Sequence, residues 1–459
     1  MNRAYAGIDL GTSSVKVICR YPDGRTAKSK AEYNEPSPCG WCNAVLKALS
    51  HIDFPESCAI GLSSQVGTYI INEKDVISWN SPGGKEELED IKSRFTTAEF
   101  VREISMPHPD IISYPIPRLK YIQKIYGNGA AVCQPKDIIG RLLTGNYATD
   151  KYSWRGLADM DTGAYSRFFL NETDNPQLPE IIGHCSPLGG ITSEVSLLTG
   201  IPPGTPVYTG LNDFFASLMG MGMTSPGDMF DITGTSEHLG VITDSVDEST
   251  SMVSGPYINN FVHYGVTASS GASLDFGLKS FGLGNITVSE SLVQSSPVFT
   301  PYLNGERAPV FDSNATGTFF GISSGCSRES LAYSVLEGVT FSIYHIYENL
   351  GFPPARELKI SGGAANNNTL NFLKAEMFNI PAVIMEENDT SALGAAMTAA
   401  IGSGAYPDAM AASKAFCRIK QRIKPSGCLR TLLLKRYEIY KELYPSLKNT
   451  YKKFKEVQL

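Results

Sequence analysis

The chain has 459 residues, enough for two or three domains with real cores, and its 42% hydrophobic and 19% charged content is that of an ordinary soluble globular protein. A net charge of −7 with no basic block argues against nucleic acid as a partner. No apolar run reaches the roughly 20 residues of a membrane span, and a strand begins almost at once where a secretory leader would stand, so a cytoplasmic protein is expected.

The front of the chain reads Ala6-Gly7-Ile8-Asp9-Leu10-Gly11-Thr12-Ser13-Ser14-Val15-Lys16: an apolar strand, a carboxylate, a glycine turn, three hydroxyls and a lysine. Glycine lets backbone approach an anion, and turn N–H groups and hydroxyls can point at it. The Asp9 carboxylate cannot bind phosphate, so its expected task is to hold Mg²⁺ directly or through water. A plain hairpin of 8–10 and 15–19 fits the same residues. A second copy favours the phosphate reading, since Asp231-Ile232-Thr233-Gly234-Thr235-Ser236 repeats the acid, apolar, Gly-Thr-Ser order. Ile360-Ser361-Gly362-Gly363-Ala364-Ala365-Asn366-Asn367 is a third glycine turn after a strand-like 357–360. Three such turns over two halves suggest a nucleotide held in a cleft between related domains.

Nine cysteines are scattered through the chain, and only Cys39-Gly40-Trp41-Cys42 has a suggestive spacing. A redox pair needs its own βαβ setting, and a zinc site needs two further ligands, of which His51 is the one obvious candidate. Reduced thiols flanking the start of a helix over 41–49 are expected instead. Residues 58–63 form a buried strand that runs into Gln65-Val66-Gly67-Thr68, a polar turn of the kind that faces ligands in α/β folds. Gln65 equally fits a residue that satisfies backbone groups. One charged helical stretch covers 82–104, Pro107, Pro109, Pro115 and Pro117 mark a loop, and Arg118 opens a helix to Tyr126. A further helix over 135–143 ends at Gly145, with Lys136 and Asp137 in its first turn able to serve substrate but better assigned to solvent and packing. Asp159 and Asp161 in the irregular 150–166 stretch are turn formers rather than an acid–base pair.

Residues 206–209 form a buried strand that ends in Gly210-Leu211-Asn212-Asp213, with helical spacing over 214–221. An acid at this junction lies on the carboxyl edge of the sheet, where α/β sites form; capping the helix is the other reading. Ser225-Pro226-Gly227 marks the domain boundary, giving domains 1–226 and 227–459. Ser269-Ser270-Gly271 is a further turn, and 301–309 is dense in turn formers and charge. Residues 328–349 make a long amphipathic helix with Leu331, Val335, Val339 and Ile343 on one face. The stretch from Thr390 to Ala396 starts a small-residue helix that another backbone can approach closely. The Lys- and Arg-rich tail from Arg430, interleaved with Tyr437, Tyr440 and Tyr444, reads as a docked amphipathic helix rather than an RNA-binding segment.

Together these pieces resemble the FGGY carbohydrate kinases, the family that contains xylulokinase and glycerol kinase. The resemblance covers nearly the whole chain. It rests on 7–16, 210–216, 231–236, the Pro301-Tyr302-Leu303-Asn304-Gly305-Glu306-Arg307-Ala308-Pro309 segment and 361–367, in the family's order. It implies an α/β fold of two actin-like (ribonuclease H-like) ATPase domains, each with a mixed five-stranded sheet, closing a central cleft on ATP and a sugar. Gly11, Thr12, Ser13 and Ser14 inherit the β- and γ-phosphates, with Lys16 in the same ATP-binding set. Gly234 and Thr235 meet the phosphates from the other domain, Gly271 lies near the nucleotide, and Gly363, Ala364 and Asn367 meet adenosine. Asp213 takes the place of the general base, Gln65, Val66, Gly67 and Asn212 face the substrate with it, and Asp9 and Asp213 lie near Mg²⁺. Xylulokinases carry Gln-Met-His-Gly where this chain has Gln65-Val66-Gly67-Thr68, and follow Trp-Asn with an acid where Trp79-Asn80 is followed by Ser81; the Arg-Glu pair of glycerol kinases is absent. D-Xylulose is therefore the leading substrate, with other ketoses including heptuloses and ribulose, polyols, or a non-transferring actin-like ATPase as alternatives. The expected partner is a small sugar, with neither nucleic acid nor membrane, and a homodimer stays open.

Overall fold

A computed structural model of the chain describes residues 3–107, 111–247, 252–282 and 286–458; Pro109 lies outside them. The chain divides into two compact units. The first takes the chain up to Thr224 with Gly255–Asn259 and Asp389–Cys417, and the second takes Ser225–Ser254, Asn260–Asn388 and the chain from Arg418 onward. The expected domain 227–459 thus loses Gly255–Asn259 and Asp389–Cys417, which belong to the first unit. Among the described residues no helix is long and apolar enough to cross a membrane.

The first unit is built on β1 (Ala4–Leu10), β2 (Ser14–Arg20), β3 (Thr26–Glu32), β4 (Cys58–Ser64), β5 (Pro187–Gly190) and β6 (Pro206–Asn212), in the order β5-β6-β4-β1-β2-β3. β1, β2 and β3 form an antiparallel meander, β4 and β6 add in parallel, and β5 closes the edge antiparallel. β1 is buried along its whole length because it has a neighbour on each side and helices on both faces. Its Ala4, Ala6, Ile8 and Leu10 join Trp41, Val45 and Leu49 of the Pro38–Leu49 helix in one core. The odd-numbered residues turn to the other face, as the two-residue period requires, and meet the Thr390–Gly402 helix.

That meeting is backbone against backbone. A Cβ on Gly7 would lie 1.8 Å from Ala392 O, one on Gly61 1.8 Å from Ala395 O, and one on Gly394 1.9 Å from Ala216 O. The small residues of 390–396 therefore do what their size permits, and they draw a segment of the C-terminal half into the first unit.

In the second unit β7 (Met229–Thr233), β8 (Glu237–Thr243), β9 (Val253–Tyr257), β10 (Asn260–Val266), β11 (Leu358–Gly362), β12 (Ala382–Met385) and β13 (Ile419–Ile423) are ordered β9-β10-β8-β7-β11-β12-β13. β7, β8 and β10 repeat the meander, and β11 and β12 repeat the parallel pair. Each unit thus carries the expected five-stranded core, but the sheets have six and seven strands, because β5, β9 and β13 pair along edges that would otherwise be open. The Arg328–Asn349 helix is buried nearly all round rather than on one face. Its Glu337 receives a two-pronged ion pair from Arg436, at 2.7 and 2.6 Å, on the Arg430–Gln458 helix, whose Tyr437 and Tyr440 are buried in the same core.

Three local readings shift. The helix expected at 41 starts at Pro38, where proline at the first position gives up no needed N–H and Ser37 accepts from Gly40 N–H. Pro115 likewise opens the Pro115–Tyr126 helix, which sequence placed at Arg118. The single helix over 82–104 is two, Lys85–Arg94 and Thr97–Ile104, because Thr96 and Glu99 form a capping box that restarts the helix.

Gly394→Ala weighs two effects of known size. Alanine in a helix gains about 1 kcal/mol over glycine, whereas forcing a methyl into a closed contact costs about 1–3 kcal/mol and here meets a carbonyl directly. The clash should win, lowering the urea midpoint of the first unit by the equivalent of about 2 kcal/mol or more. An unchanged or raised midpoint would contradict the packing.

Candidate active site

At the end of β1 the chain turns through 11–13 into β2. Gly11 N–H donates to Ser14 O at 3.0 Å and closes the turn. Tyr33 braces it from the side, its hydroxyl donating to Gly11 O at 2.5 Å and its N–H to Ser13 O at 3.4 Å. Thr12 and Ser13 are exposed on this turn. Ser14 differs from the expectation: it is the buried first residue of β2 and serves the turn through its carbonyl. Lys16, opposite Asp9 in register, pairs with Asp389 at 2.6 Å, so its charge is already engaged.

Asp9 is buried, and its Oδ1 and Oδ2 accept from Ser63 Oγ at 2.8 Å and Ser391 Oγ at 2.5 Å. Burial raises its pKa, while the two hydroxyls and Lys16 pull the other way. Each oxygen keeps a further lone pair.

β6 carries the second acid. A bulge in the β4–β6 pairing between Tyr208 and Leu211 re-aims the strand end. The helix that follows is capped by Asn212, whose Oδ1 accepts from Phe215 N–H at 2.9 Å while its Nδ2 donates to Tyr152 O at 2.8 Å. Asn212 was expected to face substrate; both its polar atoms instead hold the protein together. Asp213 is thereby released from capping and stands first in the helix, its Oδ1 accepting from Phe214 N–H at 2.8 Å. Burial first, and then the charge of Asp9, raise its pKa to about 7, against the pull of backbone N–H groups. A carboxyl poised near neutrality is what a general base at neutral pH requires.

Buried charges brace this corner. Lys136 donates to Thr209 O at 3.1 Å and pairs with Asp150 at 2.9 Å, and Asp150 accepts from Tyr152 N–H, Ser153 N–H and Ser153 Oγ. Lys136 and Asp137 are therefore buried rather than solvated. Asp159 accepts from Asp161 N–H and Thr162 Oγ1, which makes it the turn former expected. Gln65 is buried after β4, its N–H donating to Leu10 O; Val66 is exposed, Gly67 backs onto Ser113, and Thr68 Oγ1 accepts from Trp79 N–H.

In the second unit the turn 234–236 joins β7 to β8, with Gly234 and Thr235 exposed. Gly271 N–H donates to Thr235 O at 3.1 Å, and a Cβ on Gly271 would lie 2.1 Å from Gly234 O, so only glycine lets these two turns touch. Glu306 braces the turn before Gly271 by accepting from Ala268 N–H at 2.6 Å, and burial lifts its pKa to about 7. Thr233 Oγ1 donates to Ser361 O and accepts from Ala364 N–H, both at 2.9 Å, which ties the second turn to the third. Gly363 is open to solvent, and Asn367 caps the Asn368–Phe378 helix by accepting from Leu370 N–H at 3.0 Å.

The two acid-glycine motifs prove offset by one residue. Asp9 stands two positions before Gly11 and Asp231 three positions before Gly234. In a strand that difference reverses the face, and Asp231 points into the core, where Lys374 holds it at 2.5 Å. Sequence reading missed Lys374, Ser391, Tyr33 and the brace made by Glu306; a lone lysine among Leu370, Phe372, Leu373 and Met377 was the available signal for the first.

Asp9 and Asp213 suit Mg²⁺, which takes one or two carboxylates and completes its shell with water and phosphate oxygens. Among the described residues no group of three or more His, Cys, Asp or Glu could hold a metal by itself.

Two family models match the chain: the N-terminal domain of the FGGY family of carbohydrate kinases over residues 4–220 and its C-terminal domain over 230–403. Xylulose kinase of Staphylococcus xylosus is 28% identical over 95% of this chain and 99% of its own length. That of Lactococcus lactis is 28% identical over 97% and 96%. The crystal structure of ligand-bound xylulose kinase from Lactobacillus acidophilus, at 22% identity, has a TM-score of 0.86 over 98% of this chain and 100% of that one.

Carboxyl-¹³C NMR of aspartate-labelled protein should show one resonance titrating with a midpoint at about pH 7 that vanishes in Asp213→Asn. Asp9→Asn removes a negative neighbour and should lower that midpoint. A midpoint in the ordinary carboxylate range would contradict the site.

Proposed function

The chain belongs to the FGGY family of carbohydrate kinases, and we propose that it phosphorylates a ketopentose, D-xylulose first, with Asp213 as general base. That it is a sugar kinase with the actin-like ATPase fold and ATP as phosphoryl donor follows from the family. The substrate and the residue roles are our reading, and the observation that carries it is Asp213, released from capping by Asn212 and held near neutral pKa beside Asp9.

In this reading the sugar hydroxyl gives its proton to Asp213 as its oxygen attacks the γ-phosphorus, and ADP departs with the electron pair of the broken bond. Phosphoryl transfer asks the protein mainly to position groups and stabilise charge. Thr12 and Ser13 supply backbone N–H groups and hydroxyls to the phosphates on a turn that Gly11 and the Ser14 carbonyl close, Gly234 and Thr235 do so as well, and Gly271 keeps the turn 234–236 in place. Lys16 acts through its field on Asp9 rather than by contact. Gly363, Ala364 and Asn367 lie against adenosine. Mg²⁺, when bound, neutralises phosphate charge, with Asp9 as its holder and Asp213 as the second carboxylate.

The xylulose kinase relatives, matched end to end, support the ketopentose. The substrate-facing turn is where this chain departs, since Val66 and Gly67 supply neither a histidine nor any other side-chain donor. A hydroxyl left without its partner costs heavily in specificity, so the contact falls to Gln65, whose side chain no group among the described residues engages.

Coupled ADP release with Mg·ATP and D-xylulose, L-xylulose, ribulose, a heptulose, glycerol or no sugar tests this. D-Xylulose should give the largest kcat/KM, with hydrolysis in its absence at least about 100-fold slower. Equal turnover without sugar would contradict a kinase, and a polyol or heptulose as best substrate would contradict the ketopentose.

A further inference from the structure

Three charged side chains lie out of solvent at the base of the second phosphate turn: Asp231, Glu237 and Lys374. Lys374 Nζ donates to Asp231 Oδ2 at 2.5 Å and to Glu237 Oε1 at 2.6 Å. The acids stand on opposite arms of the β7–β8 hairpin, Glu237 as the register partner of Thr233 and Asp231 two residues before it. The ammonium therefore bridges the arms directly beneath the turn 234–236. It comes from the Asn368–Phe378 helix, which begins where the third turn ends. Thr233, between the bridge and the turn, carries the two hydrogen bonds that reach Ser361 and Ala364.

Two acids and one ammonium would leave a buried negative charge. The remaining oxygens, Asp231 Oδ1 and Glu237 Oε2, find no donor among the described residues, and burial together with Glu237 raises the pKa of Asp231 well above the usual range. A proton on Asp231 leaves the cluster neutral.

Such a cluster is a poor source of stability, because the cost of drying ions offsets their attraction and apolar replacements are often neutral or better. What it specifies is register. A slip of one residue between β7 and β8 would turn an acid to the other face and strip Lys374 of a partner.

We propose that Lys374 is a positioning residue for the nucleotide: by clasping Asp231 and Glu237 across the hairpin it sets Gly234 and Thr235 and, through Thr233, Gly363 and Ala364. This deepens the kinase reading and rests on it. The full chain is tested by steady-state kinetics in ATP and in sugar, with thermal unfolding alongside. Lys374→Met/Asp231→Asn/Glu237→Gln removes the charges at similar volume and should raise KM for ATP about tenfold with KM for sugar within about twofold. Glu237→Gln alone keeps the Lys374–Asp231 pair, should fold, and should raise KM for ATP about threefold. An unchanged KM for ATP in either folded variant, or a kcat that falls with the folded fraction while both KM values hold, overturns the proposal. If the wild-type chain phosphorylates no sugar, the kinase reading fails instead, and calorimetric ATP affinity, about tenfold weaker in the triple variant or unchanged, decides on the clasp.

Discussion

The first unit depends on the close approach of the Thr390–Gly402 helix to β1, β4 and the helix that Asp213 begins. Gly7 and Gly61 on the strands, and Gly394 on the helix, remove the side chains that would hold these backbones apart. Interiors are close-packed, so a contact this tight fixes position as well as stability. It carries Ser391 to Asp9 and Asp389 to Lys16, and it seats the helix whose first residue is Asp213. The chemistry of the N-terminal half is thus completed by residues that lie far along the chain.

The two units each bury an acid near the end of the corresponding strand, Asp9 on β1 and Asp231 on β7, and do so in opposite ways. A buried carboxylate must be paired or hydrogen-bonded, or it takes up a proton. Asp9 has two hydroxyl donors that leave it lone pairs and charge to use, and its charge in turn lifts Asp213 toward neutrality. Asp231 is spent on Lys374. One arrangement leaves an acid able to act on a ligand, and the other makes an acid into scaffold. The sheets are alike in order and direction, so this difference comes from a single residue of register.

Local chemistry was legible. The glycine turns, the strand that ends at Asn212-Asp213 and the small-residue helix each follow from side-chain size and period within a dozen residues. The ordered motifs sufficed for the family. What could not be read depended on distance along the chain. Nothing near Asp389–Cys417 says that it packs with residues nearly four hundred positions earlier. Asp213 read as either a helix cap or a catalytic acid, and only the bonds of Asn212 to Phe215 and Tyr152 decide between them. Lys16 and Ser14 matched a phosphate loop by type, yet one is paired and the other buried. The Arg328–Asn349 helix looked one-sided because its Ser, Thr and Glu residues count as polar, whereas Glu337 is buried under Arg436.

The central claim is that one carboxylate, freed by its neighbour and held near neutral pKa, accepts the proton of the sugar hydroxyl. Rapid-quench single-turnover measurement of sugar phosphate formation in Asp213→Asn tests it most directly. General-base catalysis contributes about 10²–10⁴-fold, so formation should slow by at least about 100-fold while ATP binds as tightly as to the unaltered chain. Sugar phosphate formed at close to the unaltered rate would contradict the account.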